Sequence, residues 1–467
     1  MRVARLNWAG LGVSEPLAPP EGAALAAARG SEPRGDRCVP LSRVGETLEV
    51  LWRLDGRGRV VGERLAPPRG GWEEVGCAQA LRCPGCVTRH LSADEQRAVI
   101  TESHLAAIAR LSGRDLSGLP VEWAPSPPPD GYRARLSAQL FEGEGERGAL
   151  TGGMWARWGE QIDLARCPVQ TSGGRLLLSR ALTALAARPQ VAVCVERVTT
   201  QAMGEEASGL VVLHVKQPPP TSASAEPSAE LSPAALDEEL RDLLRLALLG
   251  SAVYVARRAQ PKGDAVLTHL LGPEEVTWTC DDGITLRGAP PSWLPQSPSS
   301  VTALRAAALA GLGAGRGARV FEVGCGVGVV SLWLARRGLD VYGVDIEPAA
   351  VVGAQRALAL NEPLMLPPRF EAVDGRRGLA TYSAREGAPG ALLVHAMRAP
   401  IPGLLTLAAH LGVRSVCYLA PSAPSLGREL AEEPRYALLG LTLLHQTPGS
   451  AQAMCVARLS LVEGEER

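Results

Sequence analysis

The sequence predicts an α/β chain in three parts: a small antiparallel β-barrel over residues 1–69, a central α+β domain over 70–299, and a doubly wound, Rossmann-like domain over 300–467. Three observations carry that division. A length of 467 residues suits about three hydrophobic cores. The first 69 residues alternate short β-type runs with Gly and Pro turns, as in VARLNWAGLGV and TLEVLWRLDGRGRVVGERL. Beyond residue 300 the order becomes strand, Gly loop, helix, strand: ARVFEVGCGVGVVSLWLARRGLDVYGVDIEPAAVVGAQRALAL.

Between these ends the elements follow in turn. SADEQRAVITESHLAAIARL carries apolar residues at helical spacing. WAPSPPPDGY then interrupts, because Pro has no amide N–H to give a helix. Strand-like runs follow in YRARLSAQLF, ALTGGMWARW, VAVCVERVTTQ and GLVVLHVKQ. The low-complexity stretch PPPTSASAEPSAELSP predicts a disordered loop near 217–233, inserted in the central domain. AALDEELRDLLRLALLG reads as a helix, and VYVARRAQ and DAVLTHLLG as strands.

Composition excludes several classes. MRVARLNWAG lacks the apolar core of a signal peptide, and no run approaches the roughly 18 to 20 apolar residues of a membrane span. A cytoplasmic protein, with no membrane partner, is expected. Net charge is −1, which does not advertise a nucleic-acid binder. Only Lys216 and Lys262 among 48 basic residues are lysines, so the Arg excess reads as compositional bias and is weak support for phosphate recognition.

Four of the ten cysteines stand apart from the scattered rest: Cys77, Cys83 and Cys86 in one short loop, and Cys167 far downstream. Thiolates are soft anionic ligands, and four of them suit tetrahedral zinc or a [4Fe-4S] cube. Three ligands from one loop and a fourth from afar fit the cube better, since paired zinc knuckles need a second close pair near Cys167. Zinc stays as the alternative.

The Gly loop reads Glu322-Val-Gly324-Cys-Gly326-Val-Gly328, with glycines at every second position. A dinucleotide loop spaces them G-x-G-x-x-G to seat a pyrophosphate. The present spacing brings backbone close to a ligand without phosphates, while Glu322 positions its ammonium end. Asp345 closes the next strand, where a carboxylate accepts hydrogen bonds from ribose hydroxyls. A ligand with ribose and ammonium but no phosphate is S-adenosylmethionine. Asp374, after the third strand, is placed for the adenine amino group or for capping a helix.

These residues together resemble the RNA uracil-5-methyltransferase family, whose S-adenosylmethionine-dependent members make 5-methyluridine in tRNA and 23S rRNA. The likeness covers nearly the whole chain. VARLNWAGLGV looks like a TRAM barrel, an RNA-binding module, and the four cysteines stand where the rRNA branch holds its [4Fe-4S] cluster. GYRARLSAQL is similar to the family's Tyr-Arg-x-Arg strand, and WLPQSP puts Gln296 where a family Gln touches the cofactor. The resemblance implies a class I methyltransferase domain, a structured rRNA or tRNA as partner, and a monomer.

Family chemistry needs a cysteine to add to C6 of uracil and a glutamate to remove the C5 proton. In this sequence Pro421 stands at the nucleophile position and Met454 at the base position. The family's Asp-Pro-Pro-Arg has become His395-Ala396-Met397-Arg398. Weaker substitutes are Cys417, four residues upstream of Pro421, Cys455 beside Met454, and His395 as a general base or cofactor contact. Three readings follow: transfer to an RNA atom that needs no covalent activation, an RNA-binding pseudoenzyme, or an iron-sulfur scaffold or sensor. Direct RNA clues are Arg133, Arg135, Arg147 and Arg157 with Trp155 and Trp158, set against a plain solvated sheet face.

Overall fold

The computed structural model describes residues 3–6, 12–14, 38–39, 42, 46–54, 60–64, 76–80, 82–142, 150–156, 160–202, 204–206, 208–216, 231–258, 265–292, 294–396 and 400–462. The loop expected to be disordered thus lies outside the described residues up to 230, and Pro233 already opens a helix. Met397, Arg398, Arg147, Arg157 and Trp158 also lie outside them.

Five short strands, β1 (Val3–Leu6), β2 (Gly12–Ser14), β3 (Cys38–Val39), β4 (Val50–Leu54) and β5 (Val60–Arg64), form one sheet in the order β1-β2-β3-β5-β4. Val3 and Leu48 are buried with Leu91, which ties this sheet to the segment after the cysteine loop. Helix α1 (Ala93–Ser112) begins at a capping box between Ser92 and Glu95 and ends at Gly113, whose φ of 69° only a glycine adopts without strain. The short β6 (Val121–Trp123) follows.

The central sheet holds β7 (Arg135–Glu142), β8 (Leu150–Trp155), β9 (Gln161–Asp163), β10 (Val195–Gln201), β11 (Leu210–Val215), β12 (Ala252–Arg258) and β13 (Ala265–Leu271), in the order β13-β12-β11-β10-β7-β8-β9. Helices α2 (Ser172–Ala186), α3 (Pro189–Ala192) and α4 (Pro233–Leu244) cover one face, which is apolar because alternate residues Leu136, Ala138, Val198, Val211, Leu213, Val253 and Val255 point there. The same period-two rule puts Ser137, Gln139, Thr199 and His214 on the other face.

After the hairpin β14 (Val276–Thr279) and β15 (Thr285–Gly288) comes the doubly wound part. Its elements are α5 (Val301–Leu312), β16 (Arg319–Val323), α6 (Ser331–Arg336), β17 (Asp340–Asp345), α7 (Pro348–Leu360), β18 (Arg369–Ala372), α8 (Gly375–Glu386), β19 (Ala391–His395), α9 (Leu404–His410), β20 (Ser415–Ala420), α10 (Ala423–Glu432), β21 (Tyr436–Leu444) and β22 (Met454–Leu461). The eight-stranded order is β18-β17-β16-β19-β20-β22-β21-β6, parallel from β18 to β20 with β22 antiparallel. Val320 to Val323 are buried on both faces of β16, as a central parallel strand between helix layers requires.

Residues 93–123, expected in the central domain, pack with the last one instead. Ile100, Ala107 and Ile108 share a core with Leu426 and Leu430, and β6 pairs in parallel with β21. The β14–β15 hairpin joins that side too, burying Ile284 and Leu286 with Val301 and Leu304. Among the described residues no helix is long and apolar enough to cross a membrane.

Candidate functional site

Strand order reverses at β16, whose neighbours are β17 and β19, so the loops leaving β16 and β19 splay apart at their carboxyl ends. Open α/β sheets bind ligands in that crevice. Glu322, Gly324, Gly326, Gly328, Asp345, Asp374 and His395 all gather there, each at or just past a carboxyl strand end.

The three loop glycines serve different ends. A Cβ on Gly324 (φ +78°) would sit 2.5 Å from the carbonyl oxygen of His395, so only Gly lets the loop approach β19. A Cβ on Gly326 (φ +55°) would meet nothing within 4 Å, which leaves an open cradle over the loop. Gly328 packs against Leu332 and Phe370.

Asp345 holds this loop from the neighbouring strand. Its Oδ2 accepts the Gly326 N–H at 2.9 Å and its Oδ1 accepts the Glu347 N–H at 2.9 Å. Each carboxylate oxygen keeps a second lone pair for a hydroxyl donor. Glu322 is fully buried and accepts a hydrogen bond from Ser331 Oγ through Oε2. Its Oε1 has no hydrogen-bond partner among the described residues and lies 3.8 Å from His395 Nδ1. Burial pushes the Glu322 carboxyl up to about 7, and burial pulls the His395 imidazole down to about 4. An unpaired buried carboxylate oxygen beside an open glycine cradle fits a ligand that brings an ammonium group.

Ser331 escaped the sequence reading; its signal is a lone hydroxyl in the otherwise apolar VVSLWLA. Asp374 caps α8, accepting from the N–H groups of Arg376 and Arg377 at 3.1 and 3.2 Å through Oδ1. Gln296 accepts the Ala134 N–H at 2.8 Å through its carbonyl, tying the Tyr132-Arg133 strand entry to the segment before α5.

The other wall of the crevice is made by β20 and β22. Ala420 pairs Cys455, so the next positions outward, Pro421 and Met454, face each other across the strand ends. Pro421 is half-buried and Met454 is 6% exposed, and neither offers a nucleophile or a base. Cys417 lies wholly buried against α5, where a Cβ on Gly311 would come within 2.6 Å of its sulfur, and burial drives its thiol far above the usual range. Cys455 is equally buried, its thiol pushed up to about 12. Both are protonated core residues at neutral pH.

The segment leading into Met454 is clamped from outside its own sheet. Thr88 donates its N–H to Gly449 O (2.8 Å) and its hydroxyl to Ser450 O (3.0 Å). Gln96 Oε1 accepts the Gly449 N–H at 3.1 Å, Tyr132 donates to Pro448 O at 3.1 Å, and His104 Nε2 lies 3.3 Å from Ala453 O. Thr88 belongs to the cysteine loop. Cys77, Cys83 and Cys86 of that loop, and Cys167 downstream, are half-buried and joined in no disulfide. Burial first, then the charges of Cys83 and Cys167, push the Cys86 thiol up to about 12, so these thiols are near enough to feel one another. Among the described residues no group of three or more His, Cys, Asp or Glu is set to hold a single metal ion.

Comparison with known proteins agrees with this geometry. A methyltransferase-domain family model matches residues 321–376, the Gly loop through the Asp374 cap. The ribosomal RNA small subunit methyltransferase C of Alcanivorax borkumensis is 43% identical over 60 residues, 13% of this chain and 18% of its own length. The 23S rRNA (uracil(1939)-C(5))-methyltransferase RlmD of Pectobacterium atrosepticum is 25% identical over 371 residues, covering 79% of this chain and 75% of that one. In fold, the crystal structure of Pyrococcus abyssi tRNA (uracil-54, C5)-methyltransferase with S-adenosyl-L-homocysteine superposes with TM-score 0.64 at 18% identity, over 98% of both chains. Along most of its length the chain is thus similar to RNA (uracil-5-)-methyltransferases, it carries a methyltransferase domain at residues 321–376, and it shares the fold of a tRNA (uracil-54, C5)-methyltransferase from end to end.

Proposed function

We propose that this chain binds S-adenosylmethionine at the carboxyl ends of β16 and β17, binds a structured RNA, and does not make 5-methyluridine. The observation that carries the reading is the contrast between an open glycine cradle backed by Glu322 and Asp345 and the facing pair Pro421 and Met454. Bound there, the cofactor supplies an electrophilic methyl group. Asp345 would hold the ribose hydroxyls, Glu322 the ammonium end, and Gln296 and Asp374 the remaining polar groups, with adenine nearest Asp374. Losing a covalent nucleophile costs about 5 kcal/mol or more of barrier, and the buried Cys417 and Cys455 do not replace it.

A second reading draws on His395. Its neutral ring, with Nε2 buried and unpaired among the described residues, suits a general base for a nitrogen or hydroxyl acceptor that needs no covalent activation. Otherwise the chain is an RNA-binding pseudoenzyme.

The cysteine set supports a [4Fe-4S] cluster over zinc. Zinc at about 2.3 Å from each sulfur needs sulfurs about 3.8 Å apart, whereas a cube bonds each thiolate to a different iron and spreads them. Three thiols from one short loop and a fourth from afar, close enough to raise the Cys86 thiol together, suit the larger object. Gly85 N–H also points at Cys83 Sγ (3.4 Å), the kind of bond that tunes a cluster. The five-stranded N-terminal sheet would serve as the TRAM module, contacting RNA.

Calorimetry on anaerobically purified protein tests the cofactor reading. Wild type is expected to bind S-adenosylmethionine, and Asp345→Ala to lose at least about 100-fold in affinity, since charge-assisted bonds to hydroxyls and to the loop vanish together. No binding by wild type would end the reading.

A further inference from the structure

Strand register gathers four polar side chains on the face of the seven-stranded sheet opposite the helices, beside the buried patch that Leu210, Val212 and Tyr254 form there. Arg197 Nη2 lies 3.2 Å from His214 Nδ1, His214 Nε2 lies 3.0 Å from Thr199 Oγ1, and Thr199 Oγ1 lies 2.9 Å from Ser137 Oγ. Arg197 faces His214 across β10 and β11, and Thr199 faces Ser137 across β10 and β7.

The direction of these bonds is fixed from one end. A guanidinium only donates, so His214 Nδ1 accepts and carries no proton. Burial, reinforced by the Arg197 and Arg258 charges, pulls the imidazole down to about 4, so the ring is neutral and its one proton sits on Nε2, donated to Thr199. Thr199 is 6% exposed, and its own hydroxyl proton finds an acceptor in Ser137. The reverse arrangement would leave that proton buried and unpaired, at a cost of about 1–3 kcal/mol. Ser137 is exposed, so its hydroxyl is left as an outward donor, polarised by a chain that starts at a cation.

The surroundings say which acceptor it suits. Gln139, also exposed, pairs Arg197 in register. Trp155, 50% exposed, stands on the same face two residues along β8 from Gly153, the partner of Gln139, and Phe141 props it edge-on with centroids 5.0 Å apart. Asp163, at the edge of this row, already accepts the Ala165 N–H at 2.8 Å. An outward donor backed by Arg197, next to an exposed indole, matches what single-stranded nucleic acid offers: an anionic oxygen beside an unpaired base. The foot of these strands is tied to the loop before α5, through Ala134 N–H to Gln296 O (2.8 Å) and Gln201 Nε2 to Leu294 O (2.7 Å).

We propose that Ser137, backed by Thr199, His214 and Arg197, hooks a backbone phosphate of a single-stranded RNA segment whose neighbouring base stacks on Trp155. This rests on the reading that the chain binds RNA, and adds where and by which chemistry. The test is fluorescence anisotropy of the full-length protein with a labelled oligouridylate across a series of KCl concentrations. Ser137→Ala is expected to bind about tenfold more weakly, a charged-acceptor hydrogen bond lost. Its salt dependence should match wild type, because a neutral donor releases no counterion. Ser137→Thr should recover most of the affinity, and Trp155→Ala should lose about tenfold through stacking. Equal binding by wild type and Ser137→Ala overturns the hook and leaves RNA binding standing; no wild-type binding to oligouridylate or to total tRNA overturns both. Nitrogen NMR of wild-type His214 checks the relay independently: a proton on Nδ1 at neutral pH overturns it, and a proton on Nε2 supports it.

Discussion

The crevice has two walls made from one sheet. On the β16–β17 wall, backbone and side chains cooperate: Asp345 binds the loop it faces, Ser331 fixes one oxygen of Glu322, and Gly326 leaves room above. On the β20–β22 wall the register is equally regular, and Tyr418, Leu426 and Leu430 are packed beneath it, yet the facing strand ends carry Pro421 and Met454. The difference teaches that strand pairing and core packing do not depend on the groups at the strand ends. A fold keeps its shape with or without its chemistry.

Three experiments strain this contrast, in falling order of effect. The largest is all or none: RNA containing 5-fluorouridine should form no covalent adduct with wild type, as judged by denaturing gel and intact mass, because no accessible thiol lies at the β20–β22 wall. An adduct mapped to Cys417 or Cys455 would mean that wall opens. Next, Gly324→Ala drives a methyl group into the His395 carbonyl at positive φ, and should cost about 3 kcal/mol of stability together with cofactor affinity. Pro421→Ala, on the opposite wall, should change cofactor affinity by less than about threefold, since distant sites act independently.

The third is a pH profile. Glu322 titrates near 7 in the folded chain, above the ordinary 4.5 of an exposed Glu, so the folded state holds the extra proton between those values and folding stability falls as pH rises through them. Cofactor binding runs the other way. Only the carboxylate attracts ammonium, so affinity should rise roughly tenfold from about pH 5.5 to about pH 7. His395, down at about 4, stays neutral across that window. Calorimetry on Glu322→Gln should show a flat profile; a wild-type profile equally flat would remove Glu322 from the pocket.

The β16–β17 wall was legible in the sequence because everything that defines it is local: glycines two residues apart, an acid at the end of each strand, one helix between. Asp374 was legible as a polar group at a helix start, and its capping bonds show why that position favours Asp. The placement of residues 93–123 was not, because β6 is three residues long and its partner lies more than 300 positions away. The relay from Arg197 to Ser137 was hidden for a related reason: it exists only once two strand registers are set, and a one-residue slip of either would send half of it into the α2 side. The convergence of Cys167 on the upstream loop was read from residue type, and its spacing from the other thiols depends on tertiary packing alone.

The bonds from Thr88, Gln96, Tyr132 and His104 onto residues 448–453 have a consequence for how the molecule breathes. The Thr88 amide donates to the Gly449 carbonyl and the Gly449 amide to Gln96 Oε1, so neither amide can exchange its hydrogen with solvent unless the two segments part. The two should open as a single cooperative unit, with one shared opening free energy in native-state hydrogen exchange, although they stand at opposite ends of the chain.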